Sequence, residues 1–285
     1  MNKKLLILLL TLAMAFVFAG CGSSGEEATD EGSGDQTQVL VFAAASMQSS
    51  LEELEAAFEA ENPDIDIVLN CDSSGTLMTQ IEEGAPCDVF FSAAQAQMDE
   101  LEGLGLVVDG TRQNVLNNQL VVVTYPDSGT KVKKLKSIGK AKSIALADGS
   151  VPVGKYTRQA LINLGILEAA DDPAAITTQE VSDALGGVEI SEQGNVSKVL
   201  AAVQEGSSEV GTVYLSDTYG QEDSVKILET VSYDVAGDII YPIAQIVNQD
   251  ADDAENEAAA AVLEYLTNDN AKSVYETHLF DIDVE

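Results

Sequence analysis

From Val39 onward the sequence alternates short β-branched apolar runs with longer amphipathic ones, and that alternation restricts the fold more than any other feature. VLVFAA (39–44) reads as a buried strand. Residues 49–61 carry Leu51, Leu54 and Phe58 at helical spacing with acids between them, the pattern of a helix with one apolar face. IDIVLN (65–70) predicts a second strand, 76–83 a second helix, and DVFFSA (88–93) a third strand. A helix over 97–104 is closed by Gly103 and Gly105. Such alternation implies parallel strands with right-handed crossovers, hence a doubly wound α/β sheet.

The pattern then changes. NQLVVVTYP (118–126) is a long apolar run ending at Pro126, and DIIYPIAQIV (238–247) is another, about 120 residues later. Between them SIALADG (143–149), helices over 156–164 and 196–204, and VGTVYLSD (210–217) form a second α/β set. A helix over 254–266 follows the second run. The two long runs look like paired crossings between lobes, with one domain inserted in another. This predicts a first lobe of residues 39–119 plus 243–285 and a second of residues 120–242. Hinges are expected near Gln119 and Ile243.

The N-terminus addresses the chain to a compartment. Lys3 and Lys4 precede an apolar run from Leu5 to Phe18, too short and wrongly flanked for a permanent span, so residues 1–20 read as a secretory signal. Phe18-Ala19-Gly20-Cys21 resembles a bacterial lipobox, with Phe18 where Leu is usual, and predicts lipidation at Cys21. Residues 21–38 hold almost nothing to bury, and read as a flexible tether between the lipidated Cys and the folded part. The protein is therefore expected outside the cell, anchored to the outer face of the cytoplasmic membrane.

The chain holds 14 basic and 48 acidic residues. Lys3 and Lys4 leave with the signal, so 12 basic residues face the same 48 acids, a balance of −36. That charge argues against nucleic acid and against attraction to anionic lipid. Cys71 and Cys87 lie at opposite ends of neighbouring strands. A five-residue strand spans roughly 16 Å, beyond the ~7 Å Cα limit of a disulfide, so two free thiols are expected. His278 is the single histidine, and no His/Cys cluster has metal-ligand spacing.

Ligands of open α/β sheets sit at the carboxyl ends of strands, where helix N-termini offer unpaired N–H groups. Ser46 follows VFAAA, and Ser73, Ser74 and Thr76 follow IVLN. Val151 to Gly154 lies between a strand and the helix expected near Tyr156. Asn195 stands where the helix beginning at Val196 needs a cap, and Tyr214 ends GTVY. Taken singly, each has an ordinary structural reading as a cap, a turn or a core aromatic. Together they are neutral donors, split across two lobes, with no catalytic group among them.

At this point the sequence resembles a known family. FAAAS, SSGTLMTQIEEGAPCDVFFSA, RQNVLNNQLVVV, VPVGKYTRQAL, VGTVYLSD and YPIA, in that order, are similar to the molybdate-binding component of ABC-type uptake systems. The likeness runs from Val39 to the end. It implies a two-lobed periplasmic-binding-protein-like fold of type II, each lobe a mixed, mostly parallel sheet flanked by helices, with the ligand in the cleft. It also implies an oxyanion held by the hydroxyls of Ser46, Ser74 and Tyr214 and by backbone N–H groups at Val153 and Val196. Molybdenum would enter only as molybdate, through those residues, and no cofactor is implied. Gly75 and Asp72 depart from the family pattern, and Asp72 bears on specificity.

Molybdate carries no proton at neutral pH, so every contact to it should be a donor; tungstate is expected to bind as well. Sulfate and phosphate are the alternatives, phosphate because Asp72 offers an acceptor for its proton. Catalysis is not expected. No His lies near Ser46 or Ser74, Gly-x-Ser-x-Gly is absent, and neither serine has a Ser-x-x-Lys partner. The resemblance implies a monomer that hands its ion to a membrane permease with a partner ATPase.

Overall fold

The computed structural model describes residues 36–284. The signal segment, Cys21 and the tether up to residue 35 lie outside the described residues. Among those described, no helix is long and apolar enough to cross a membrane.

The first lobe opens with β1 (Thr37–Ala44), α1 (Gln48–Glu61), β2 (Ile65–Asp72), α2 (Ser74–Glu82), β3 (Val89–Phe91), α3 (Gln95–Gly103) and β4 (Gln113–Leu116). The second holds β5 (Leu120–Thr124), β6 (Ser143–Ala147), α4 (Pro152–Asn163), α5 (Thr178–Ala184), β7 (Glu189–Gln193), α6 (Val196–Gln204), β8 (Val210–Tyr214), β9 (Lys226–Thr230) and α7 (Tyr233–Ala236). The chain then returns through β10 (Tyr241–Gln245), α8 (Asp253–Thr267) and α9 (Asp269–Thr277).

Each lobe is built on a five-stranded sheet, in the orders β2-β1-β3-β10-β4 and β7-β6-β8-β5-β9. β1 pairs in parallel with β2 and β3, and β6 with β7 and β8. β10 is antiparallel to both its neighbours, and so is β5. The fold is thus the expected pair of mixed, mostly parallel sheets. In each, the strand that first enters the lobe after a crossing runs against the others.

β1 is buried along most of its length because helices cover both faces of a parallel sheet. α1 turns Leu51, Leu54 and Phe58 inward, as its spacing dictates. Burying each such side chain stabilises the fold by roughly 2 kcal/mol. The ladder also claims Thr37 and Gln38, which pair with Ile65 and Asp66, so the polar segment ends two residues earlier than composition indicated.

The two long apolar runs do not themselves span the lobes. The first crossing is the short segment between Leu116 and Leu120, and the second lies between Thr230 and Tyr241. Tyr241 and Pro242, which the sequence placed in the second lobe, pair with β4 in the first sheet. Ile243 pairs with Phe91 and Gln113 inside that sheet, so the return crossing lies N-terminal to it. Asn117 laces the crossings together: its Oδ1 accepts from the Ile239 N–H at 2.8 Å and its Nδ2 donates to Asp238 at 3.1 Å. Hydrophobic periodicity cannot distinguish a strand that crosses from one that merely begins after a crossing.

Cys71 and Cys87 are free, as expected. Burial pushes the Cys71 thiol up to about 12 and that of Cys87 higher still.

Candidate functional site

Where the carboxyl ends of β1, β2, β6 and β8 face one another, the lobes enclose a cavity. The first lobe lines it with Ala44, Ala45, Ser46, Asp72, Ser73, Ser74 and Ala93, the second with Val151, Pro152, Val153, Val196 and Tyr214. All five residues expected from sequence to hold the ligand are therefore brought together. Space open to the centre of a water molecule is only about 10 Å³. That is about the room of one water molecule, far too little for a sugar, amino acid or peptide.

Three helices point their N-termini at this cavity. Ser73 caps α2, its Oγ accepting from the Thr76 N–H at 3.2 Å. Ser74 therefore occupies the first helical position, and its Oγ accepts from the Ala93 N–H at 2.9 Å. A hydroxyl whose oxygen already accepts has its proton left to donate.

α4 begins at Pro152, four residues before the start expected from periodicity. Proline suits the first turn because its missing N–H has no intrahelical partner there. Val153 is thus a first-turn residue, with an N–H that the helix itself leaves unpaired. Gly154 is required by packing: a Cβ at that position would lie 2.0 Å from the Asp148 carbonyl oxygen. Arg158, fully buried, fastens this turn by donating to the carbonyls of Ala147 (2.9 Å), Gly154 (3.0 Å) and Ile176 (2.7 Å).

α6 is capped by Asn195, as its sequence position predicted. The side-chain oxygen accepts from the Lys198 N–H at 2.9 Å, leaving the Val196 N–H for the cavity. Among the described residues, no lysine or arginine lines the cavity. Its positive potential comes from helix dipoles and oriented N–H and O–H groups rather than from cationic side chains.

Tyr214 ends β8 with 1% of its surface exposed, and among the described residues its buried hydroxyl has no hydrogen-bond partner. Leaving such a group unpaired costs about 1–3 kcal/mol. Burial raises the Tyr214 hydroxyl well above its ordinary range, so it stays protonated and able to donate. The ring packs edge-on against Tyr241.

The lobes also touch directly. Asp72 Oδ1 accepts from the Ser73 N–H at 2.7 Å and from Asn195 Nδ2, across the cleft, at 2.8 Å. A Cβ on Gly75 would lie 2.9 Å from the Ser150 carbonyl oxygen. Both departures from the family pattern, Asp72 and Gly75, thus sit where the lobes meet. Sequence reasoning missed these contacts and the part played by Tyr241, which the YPIA motif alone could have marked.

A family model for bacterial extracellular solute-binding proteins matches residues 39–281. The chain belongs to that family. This solute-binding protein is 30% identical to the molybdate-binding protein ModA of Escherichia coli, over 99% of this chain and 100% of that one. It is 29% identical to a putative ABC transporter substrate-binding lipoprotein of Bacillus subtilis, YvgL, covering 98% and 99%. Among solved structures, the substrate-binding domain of a putative molybdenum ABC transporter from Clostridium difficile is 30% identical. It matches with a TM-score of 0.62, covering 87% of this solute-binding protein and 99% of that chain.

Proposed function

We propose that this solute-binding protein captures a tetrahedral oxyanion, molybdate and also tungstate, for an ABC importer. The observation that carries the reading is the buried, partnerless hydroxyl of Tyr214 in a small cavity walled by donors from both lobes. In the proposed complex Ser46, Ser74 and Tyr214 donate O–H groups, and Val153 and Val196 donate N–H groups. A dianion without a proton needs donors only, and preorganised dipoles in a dry site bind it without a counter-charge. The net charge, −34 for the full sequence and −36 once the expected signal is removed, acts through screening solvent, whereas the donors act at contact.

Opening about the two crossings admits the ion, and closure excludes water. Donors from both lobes make binding favour the closed form. The loaded monomer then docks on a membrane permease whose partner ATPase drives import. Lipidation at Cys21 holds it at the outer face of the membrane. The named relatives from E. coli, B. subtilis and C. difficile support this assignment.

Asp72 favours a second reading. It lines the cavity, and among the described residues only its Oδ1 is hydrogen-bonded. Its Oδ2 is an acceptor that suits the remaining proton of phosphate. Calorimetric titration with molybdate, tungstate, sulfate and phosphate separates the readings. Tight binding of the first two supports the proposal; binding of phosphate or sulfate alone overturns it. Tyr214→Phe should weaken molybdate binding by about 1–3 kcal/mol.

A further inference from the structure

Behind Ser46 lies a buried chain of polar groups, Tyr241, Asn118 and Ser216, that does not line the site cavity. The Ser46 and Tyr241 hydroxyls are 2.9 Å apart. Asn118 Nδ2 lies 3.2 Å from the Tyr241 oxygen and 2.8 Å from Ser216 Oγ. Tyr241 is 0% and Asn118 1% exposed, so bulk water does not complete this network. The other three members of this chain, Tyr241, Asn118 and Ser216, come from the return strand β10, the first crossing and the turn after β8.

The direction of the protons in this chain is fixed. Asn118 Oδ1 accepts from the Gln119 N–H at 2.8 Å, which identifies the other amide atom as nitrogen. That nitrogen has two protons and no acceptor capacity, and it has two oxygen neighbours, Ser216 and Tyr241. The Tyr241 oxygen therefore accepts from Asn118. Its own single proton has one remaining neighbour, Ser46 Oγ. Ser46 then accepts from Tyr241; among the described residues no other group bonds its hydroxyl, so its own proton is left for the cavity that it lines. Had Ser46 donated to Tyr241 instead, it would turn a lone pair toward an arriving anion.

We infer that Asn118 and Tyr241 are positioning residues that aim the Ser46 proton into the cavity. The inference rests on the oxyanion reading above and adds the device that makes Ser46 a donor rather than an acceptor. It also makes the Ser46 contact depend on the crossing, since Asn118 belongs to it. Chains of this kind strengthen the terminal donor, because each accepted hydrogen bond polarises the next O–H.

Reversing the polarity of the first link tests this. Asn118→Asp presents an acceptor to Tyr241, draws the Tyr241 proton away, and turns the Ser46 proton inward. Molybdate affinity, measured by calorimetry on the folded chain, should fall ~100-fold, the loss of a hydrogen bond to a charged group plus lone-pair repulsion. In a Tyr241→Phe background the reversal cannot reach Ser46, and Asn118→Asp should then cost no more than ~10-fold. Equal penalties in both backgrounds would mean that charge or packing alone acts, and overturn the inference. Should Asn118→Asp not fold, Tyr241→Phe and Ser46→Ala answer the same question. Tyr241→Phe should weaken binding ~10-fold alone and leave it unchanged when Ser46→Ala is present. Additive losses overturn the relay while the oxyanion reading stands. Absence of molybdate binding by the unsubstituted protein overturns the reading, and the relay with it.

Discussion

Asn195 Nδ2 in the second lobe donates to Asp72 Oδ1 in the first across 2.8 Å, although the two residues are 123 positions apart in the chain. The same Asn195 caps α6 through its other side-chain atom, so one residue both presents the Val196 N–H and ties the lobes together.

Asn195→Asp should retain the cap, since aspartate caps as well as asparagine, but set two carboxylates against each other when the lobes close. Molybdate affinity should fall ~10- to 100-fold, with closure lost in small-angle scattering. Adding Asp72→Asn removes one of the two opposed charges and should recover part of the affinity. Two substitutions that simply add would show that the bridge has no part in closure.

Gly75 gives a prediction of two opposite signs. Alanine is a better helix former by about 1 kcal/mol, so Gly75→Ala in α2 should leave the unliganded protein at least as stable. The added Cβ would lie 2.9 Å from the Ser150 carbonyl when the cleft closes, so ligand affinity should drop ~10-fold. Melting curves with and without molybdate check both. An unchanged ligand-induced shift would remove Gly75 from the closing contact.

Asp217 accepts from the Tyr214 N–H at 2.8 Å, and burial raises its carboxyl to about 7. The folded protein therefore holds the proton more tightly than the unfolded chain does. This group's contribution to stability is full below about pH 4, the ordinary carboxylate range, and is lost as pH rises through about 7. Unliganded stability should decline across that window by about 1–2 kcal/mol from this residue, discounted because solvent still reaches the side chain. Asp217→Asn should flatten that part of the profile. A slope identical to that of the unsubstituted protein would assign it to the acidic surface instead.

The thiols are predicted to be reduced and inert. Cys71, raised to about 12, and Cys87, raised further, hold almost no thiolate at pH 8. Alkylation of the native protein should leave both unmodified, and unfolding in denaturant should expose both without prior reduction. Rapid labelling of native protein would contradict the burial of Cys87 and the raised thiol of half-buried Cys71.

Much of the fold was legible because burial on two faces writes itself as continuous apolar runs: β1, β5 and β8 are such runs. β7 (Glu189–Gln193) escaped because it lies at the sheet edge, where EISEQ turns mostly polar side chains to solvent. The early start of α4 escaped because its first turn is not read by periodicity; Pro152 was the available signal.

The alternation of strand and helix, read by itself, indicated parallel-type α/β sheets and put Ser46, Ser74 and Tyr214 at the ends of strands and Val153 and Val196 at or near the starts of helices. Those are local matters, set by side-chain periodicity and by the unpaired N–H groups of any helix start. Only the tertiary structure decided that these ends face one another around one small cavity. It also decided that Asp72 meets Asn195, that Gly75 meets Ser150, and that Asn118 and Tyr241 stand behind Ser46. These pairs lie far apart in sequence, and their hydrogen bonds depend on distances of a few ångströms that no periodicity records.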